Sequence, residues 1–372
     1  MPRKKAKKKK VQKRKKTKIQ AKRKVKKKKK ELKREKVSGL LIKHEENPII
    51  SPSSENEWEN WQTFNPGVIL LKDKIHFLYR AIGSDGISRL GYASSSDGFF
   101  IEERSSSPVY EHKTNSLSFC YFSFTSGGSF GGAEDPRPVR VDEEDVIYMT
   151  YTACSSELRI ALTSIKVRDF LNRKWRWKKP VLISPPNEVH KNWVIFPEKI
   201  NGRYAILHSL NPKILVDFFE DLNFDGKTFI RSYYHPQPQG KHWIWEAKIR
   251  GVGPPPIKTK YGWLIFYHAE EKGDLGRYKV GAMLLDLKSP SKPLISFKQP
   301  ILRPEEDYEN NGFKPGVVYA SGAVVKNNQL LIYYGAADSY VCVAYADFDE
   351  FLEALIKEKK PKLRKKALKR KK

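Results

Sequence analysis

Residues 131–140 read GGAEDPRPVR, an acid pair followed by proline and arginine. A carboxyl group held beside a cation and kept from water can give or take a proton. Pro136 and Pro138 restrict the backbone on both sides of Arg137, and Pro136 biases Asp135 away from helix. Acid and cation therefore receive fixed directions where a glycine-rich loop enters a strand. The plainer alternative is a turn whose Asp accepts backbone hydrogen bonds and whose Arg pairs with a neighbouring acid.

The elements that would position such a group repeat along the chain. Five segments share one form: an apolar strand, a polar turn, and a second apolar strand ending in an aromatic or His. They span 68–81 (VILLKDKIHFLYRA), 139–153, 196–210, 256–270 and 322–338. Aligned at Tyr79, Tyr151, His208, His268 and Tyr334, they step by 72, 57, 60 and 66 residues. Another alternating strand follows each hairpin, and Asn201-Gly202 and Asn327-Asn328 suit tight hairpin turns. Short antiparallel strands repeated at this spacing predict an all-β, five-bladed β-propeller over residues 37–356. A β-sandwich pair is the competing architecture, but it leaves five similar hairpins unexplained. A propeller gathers one end of every blade around a channel, bringing sequence-distant polar residues together.

Composition narrows what the site could serve. The formal net charge of +29 suggests a nucleic-acid binder until its distribution is followed. Residues 1–36 hold 23 Lys/Arg against 2 Glu, and residues 357–372 hold 11 against 1. That leaves 37 basic and 39 acidic side chains, a net charge of −2, for residues 37–356. The two basic tails lack the apolar residues a core needs and read as disordered. They suit salt-dependent binding to nucleic acid or other polyanions, or simply solubility. No apolar stretch follows the basic start, so no secretory signal is expected. No run of about 18 apolar residues offers a membrane span. Cys120, Cys154 and Cys342 lack metal-ligand spacing; so sparse and odd a set fits a reducing cytoplasm and core packing. No metal site is expected, and the acid run Asp142–Asp145 reads as a solvated hairpin tip.

FNPG (64–67), LYRA (78–81), AEDPRP, NWVIFPEKI (192–200), WEAKIRGVGPPPIKT (245–259) and AAD (336–338) together resemble glycoside hydrolase family 130. That family comprises the β-mannoside phosphorylases and related β-mannosidases. The ordered set is the specific part, with GPPPIKT followed by GWLIFYH and GAMLLDL, because EDPR-like tetrads recur in other five-bladed glycosidases. The resemblance implies a five-bladed propeller that cleaves β-mannosidic bonds of manno-oligosaccharides with inversion. It makes Asp135 the proton donor, puts Asn65, Arg80 and Asp338 around the mannosyl unit, and sets Arg137 near the acid. His268 and His208, in matching repeat positions, are expected to face inward in structural or sugar-contacting roles. Trp193 and Trp243 are the expected sugar platforms, Trp263 a core residue, and Glu198 a partner of Lys199 or a strand cap.

A leaving-group oxygen needs a proton, which a carboxylic acid in a desolvated pocket can supply. In phosphorolysis the acceptor is phosphate, so cations to hold it replace the second carboxylate. Where the family pattern carries two phosphate-clamping arginines, this chain has Lys191 and Ser209. Asn192, Lys248 and Tyr278 fit the remaining phosphate-side positions, giving α-mannose 1-phosphate as product and phosphate as the only co-substrate. If water attacks instead, Glu246 or Glu270 would be the base, with carboxyls about 6.5–9.5 Å apart; otherwise both read as exposed loop carboxylates. A third reading is a non-catalytic basic propeller carried to nucleic acid by its tails. Self-association is left open by the sequence.

Overall fold

The computed structural model describes residues 40–113, 127–233 and 244–358. Residues 1–36, most of 357–372, Cys120 and Trp243 lie outside the described residues. Two units are separable, Met1–Leu41 and Ile42–Lys372, and the fold below is that of the second.

A short strand β1 (Ile42–Lys43) precedes five successive strand groups. The first holds β2 (Gln62–Leu71), β3 (Lys74–Ile82), β4 (Ile87–Ser95) and β5 (Glu103–Arg104). The second holds β6 (Gly131–Arg140), β7 (Val146–Cys154), β8 (Leu158–Lys166) and β9 (Val181–Leu182). The third has β10 (Val194–Ile195), β11 (Tyr204–Ser209) and β12 (Leu215–Phe219). The fourth has β13 (Lys248–Val252), β14 (Ile257–Thr259), β15 (Gly262–Glu271), β16 (Asp274–Leu285) and β17 (Pro293–Ser296). The fifth has β18 (Val318–Lys326), β19 (Gln329–Ala336) and β20 (Tyr340–Asp347). All five expected hairpins are present, each followed by its third strand, so the fold is mostly β.

Turn chemistry explains why these segments fold back. Lys72-Asp73, Asp142-Glu143, Asn201-Gly202 and Asn327-Asn328 all carry two consecutive positive φ angles. That geometry matches the right-handed twist of the flanking strands. The acid tip is pinned as well as solvated: Glu144 accepts from Tyr148, Lys199 and Tyr204 at 3.1, 2.9 and 2.6 Å.

The strands make four sheets. β1 pairs antiparallel with β20, beside β19 and β18. β10–β12 form a three-stranded sheet and β13–β17 a five-stranded one. The first two groups share an eight-stranded sheet, but only a two-residue parallel bridge, Ile87↔Gly131 and Ser88↔Gly132, joins them.

Bulges interrupt the first strand of four groups. Register shifts fall between Phe64 and Gly67, Glu134 and Arg137, Ile249 and Gly251, and Ala320 and Gly322. A bulge leaves residues off the ladder and bends the strand. The residues left over are Asn65-Pro66, Asp135-Pro136, Arg250 and Ser321. The bent strands meet: Ser321 Oγ donates to Pro66 O at 3.0 Å, and Arg137 Nε to Gly253 O at 2.9 Å.

Between the sheets lie apolar clusters that include Trp193 with Ile195 and Ile206, and Trp263 with Phe196 and Ile265. Trp263 is a core residue, as expected. Trp193 is not a platform: only 1% exposed, it sits between the rings of His190 and His208, each 5.4 Å away. Glu198 pairs with Lys258 rather than Lys199. Cys154 and Cys342 are buried. Among the described residues three short α-helices flank the strands, α1 (Val167–Leu171), α2 (Asp307–Asn310) and α3 (Phe348–Lys357). Asp347 caps α3, accepting from Glu350 N at 2.9 Å, while Phe351, Leu352 and Leu355 face inward.

Candidate active site

Asp135 sits in the β6 bulge with φ +51°, and Asn65 in the β2 bulge with φ +46°. Left-handed backbone is uncommon for residues other than glycine, and Asn and Asp tolerate it best. The two bulges point these side chains at each other: Asn65 Nδ2 donates to Asp135 Oδ1 at 2.8 Å. Gly335 makes room, since a Cβ there would lie 2.0 Å from Asn65 Oδ1. Arg80, on β3, is wholly buried over the Phe64 ring and reaches Asp135 Oδ1 at 3.4 Å and Glu134 Oε1 at 2.9 Å. Ser129 also donates to Glu134, at 2.8 Å, and Lys191 Nζ holds the other Glu134 oxygen at 3.0 Å. Burial by itself would raise the Asp135 carboxyl, but Arg80, Lys191, Arg137 and the Asn65 bond hold it below the usual carboxylate range.

Asp338, between β19 and β20 with φ +48°, faces the same charges. Burial pushes its carboxyl up, Lys314 and Arg80 oppose that, and Asp135 adds to it. Gln62 Nε2 fixes the Asp338 carbonyl at 2.8 Å. Two buried acceptors, Gln62 Oε1 and Asn65 Oδ1, receive no hydrogen bond from the described residues. Arg137 is spent on the scaffold: it bonds Asp135 O at 2.6 Å, Asn192 Oδ1 at 2.9 Å and Tyr319 OH at 3.0 Å. His268 stacks on Tyr319 with ring centres 3.8 Å apart, and its Nε2 meets Ala320 O at 2.8 Å. Burial and then Arg137 lower His268 to about 3, so it is neutral and supports Tyr319.

Cations crowd the other flank. Asn192, φ +67°, accepts from Tyr319 and Arg137 and donates to Arg250 O at 3.2 Å. Tyr278 lies between two charges, Arg250 with its guanidinium carbon 5.3 Å from the ring centre and Lys314 with Nζ at 4.6 Å. Burial lowers the Lys248 ammonium, and the nearby Arg250 charge lowers it further. Glu270 and Glu246 are buried rather than exposed loop groups, because each has a partner. Arg250 Nε is 3.2 Å from Glu270, and Tyr267 OH donates to Glu246 at 2.8 Å. Among the described residues no group of three or more His, Cys, Asp or Glu could hold a metal, and no helix is long and apolar enough to cross a membrane.

The structure thus brings Asp135, Asn65, Arg80 and Asp338 into one electrostatic neighbourhood with Lys191. Glu134, Arg250, Lys314 and Tyr319 are further members of the site that sequence reasoning passed over. Glu134 and Arg250 were within reach, the first beside Asp135 and the second in the quoted WEAKIRG segment. No local pattern marks Lys314 or Tyr319.

A family model described as beta-1,4-mannooligosaccharide phosphorylase, glycoside hydrolase family 130, matches residues 33–357. A 1,2-beta-oligomannan phosphorylase of Thermoanaerobacter sp. (strain X514) is 36% identical, covering 82% of this chain and 96% of the relative. A beta-1,2-mannobiose phosphorylase from the same strain is 34% identical with the same coverage. Among solved structures, the beta-1,2-mannobiose phosphorylase of Listeria innocua in complex with beta-1,2-mannobiose superposes with a TM-score of 0.65. It is 25% identical, over 86% of this chain and 99% of that one.

Proposed function

The chain belongs to glycoside hydrolase family 130 and is an enzyme of the glycoside phosphorylase type; from that premise we propose that it cleaves manno-oligosaccharides with phosphate, inverting the anomeric centre to give α-mannose 1-phosphate. The observation that carries this reading is the Asp135 carboxylate, fixed by Asn65 and Arg80 and flanked by the cations around Tyr278. The five strand groups are read as five blades around this pocket.

Asn65, Arg80 and Asp338 bind the mannosyl unit, whose hydroxyls can donate to the buried Asn65 Oδ1 and Gln62 Oε1. Arg137 and His268 position rather than touch it. Lys191, Asn192, Lys248 and Tyr278 form the phosphate side. A phosphate oxygen bonds to C1 as the C1–O bond to the leaving sugar breaks, and the departing oxygen takes its proton from Asp135. The ionised state of Asp135 in the free enzyme sets a condition on this step. The phosphate dianion, placed near Lys191, offsets the cationic field that keeps the carboxyl low and favours its protonation before bond cleavage.

Both relatives matched over 96% of their length are named for β-1,2 linkages, so β-1,2-mannobiose is the first substrate to test. Mannose 1-phosphate formed only when phosphate is present is the expected result. Free mannose released in phosphate-free buffer overturns phosphorolysis in favour of hydrolysis, with Glu246 and Glu270 as the bases to examine. The Lys/Arg-rich ends are read as tethers to polyanions, so deleting residues 1–36 leaves turnover nearly unchanged.

A further inference from the structure

Ser209 stands at one of the two positions where the family pattern carries a phosphate-clamping arginine, and its hydroxyl is turned to Asn211 O at 3.1 Å. Yet the flank is not short of guanidinium. Ser209 lines a cavity of about 50 Å³ together with Lys191, Asn192, His208 and Arg250. A buried water needs roughly 10–15 Å³ by this measure, so a small oxyanion with a water or two fits. Arg250 comes from the neighbouring strand β13. It is the residue its bulge leaves off the ladder, opposite no partner between Ile249↔Ala269 and Gly251↔His268. Asn65 and Asp135 are set off their ladders by the same device in β2 and β6. Gly251 allows the bend: its φ is +139°, and a Cβ there would lie 2.6 Å from Asn192 Nδ2.

We propose that Arg250 takes over, from a different strand, the anion-clamping role that Ser209 cannot fill. This inference rests on the phosphorolytic reading above. Its Nε is engaged by Glu270 at 3.2 Å, while its two terminal nitrogens bond no described residue. A guanidinium anchored at one edge by a carboxylate presents the other edge for two parallel bonds to phosphate. Lys191 and Lys248 then act as point charges beside it, and Tyr278 backs the fork through its ring.

The test is steady-state phosphorolysis of β-1,2-mannobiose by the full chain, varying each substrate in turn. Arg250→Gln is expected to raise the KM for phosphate about 10–100-fold while leaving the KM for mannobiose within about twofold. Adding Ser209→Arg in the same chain is expected to return the phosphate KM toward wild type. Arg250→Lys keeps the charge without the fork and is expected to raise it severalfold, which also serves should the glutamine variant fail to fold. A phosphate KM unchanged in the glutamine or lysine variant, or a mannobiose KM that rises in step with it, overturns the role of Arg250. Should wild type form no mannose 1-phosphate at all, the phosphorolytic reading falls first, and that outcome is visible before any variant is made.

Discussion

The two flanks of the pocket neutralise charge in opposite ways. Around Asp135 the charges are tied to one another: Arg80 spans Asp135 and Glu134, and Lys191, where this flank meets the phosphate side, takes the second Glu134 oxygen. Around Tyr278 the balance tips to the positive side, with Lys248, Arg250 and Lys314 set against Glu270. A closed network fixes geometry, because removing one member strands another in a dry site. An open, cation-rich wall is instead incomplete without an anion. The first flank suits a group whose direction decides a reaction, and the second suits a diffusible anion that must enter and leave.

The comparison breaks most sharply at Asp135. Asp135→Asn keeps the shape and most of the bonds but has no proton to give, so kcat/KM for phosphorolysis should drop about 10²–10⁴-fold. The KM for phosphate should move little; a variant that instead lost phosphate affinity would show that the flanks are not separable. Lys248→Ala probes the other side. Its phosphate KM should rise about tenfold or more with the mannobiose KM nearly constant, and measuring both in one assay series distinguishes the flanks.

Smallest, but most diagnostic, is the response of stability to pH. The Asp135 carboxyl is depressed, so its stabilising contribution is present above the ordinary carboxylate range and is lost as pH falls through its lowered value. The Asp338 carboxyl is raised, so its ionisation costs stability as pH climbs through that raised value. Asparagine at 338 should therefore melt higher than wild type at pH 7, by roughly 1–3 °C. Asparagine at 135 should melt lower at the same pH. Melting curves at pH 4 and pH 7 check both signs, and matching shifts in the two variants would contradict the assignment.

The strands were legible because alternation and turn residues are local. VILLKDKIHFLYRA announces a hairpin without knowledge of its neighbours, and β2 and β3 follow it closely. The grouping of Asp135, Asn65 and Arg80 came from the order of short motifs. Counting fails where a strand bulges, because the extra residue resets which side chain faces which way; Arg250 stands in a recognisable segment, WEAKIRG, but alternation along β13 does not tell which way it faces. Trp193 looked like a loop-edge aromatic, yet the left-handed turn at Asn192 sends it inward between two histidines. Glu198 found its partner in Lys258 on another strand group, and nothing in the sequence between them signals that contact. Helix α3 was overlooked beside the basic run it precedes, although Phe351, Leu352 and Leu355 share one helical face.

The bulged residues carry a consequence for how such a pocket changes over generations. Asn65, Asp135, Arg250 and Ser321 stand outside the pairing that holds their sheets together. Exchanging Arg250, which lines the cavity and is tied to Glu270, alters the charge offered to an anion while every rung of the ladder keeps its place. Preference for a new acceptor can thus evolve one side chain at a time on an undisturbed frame.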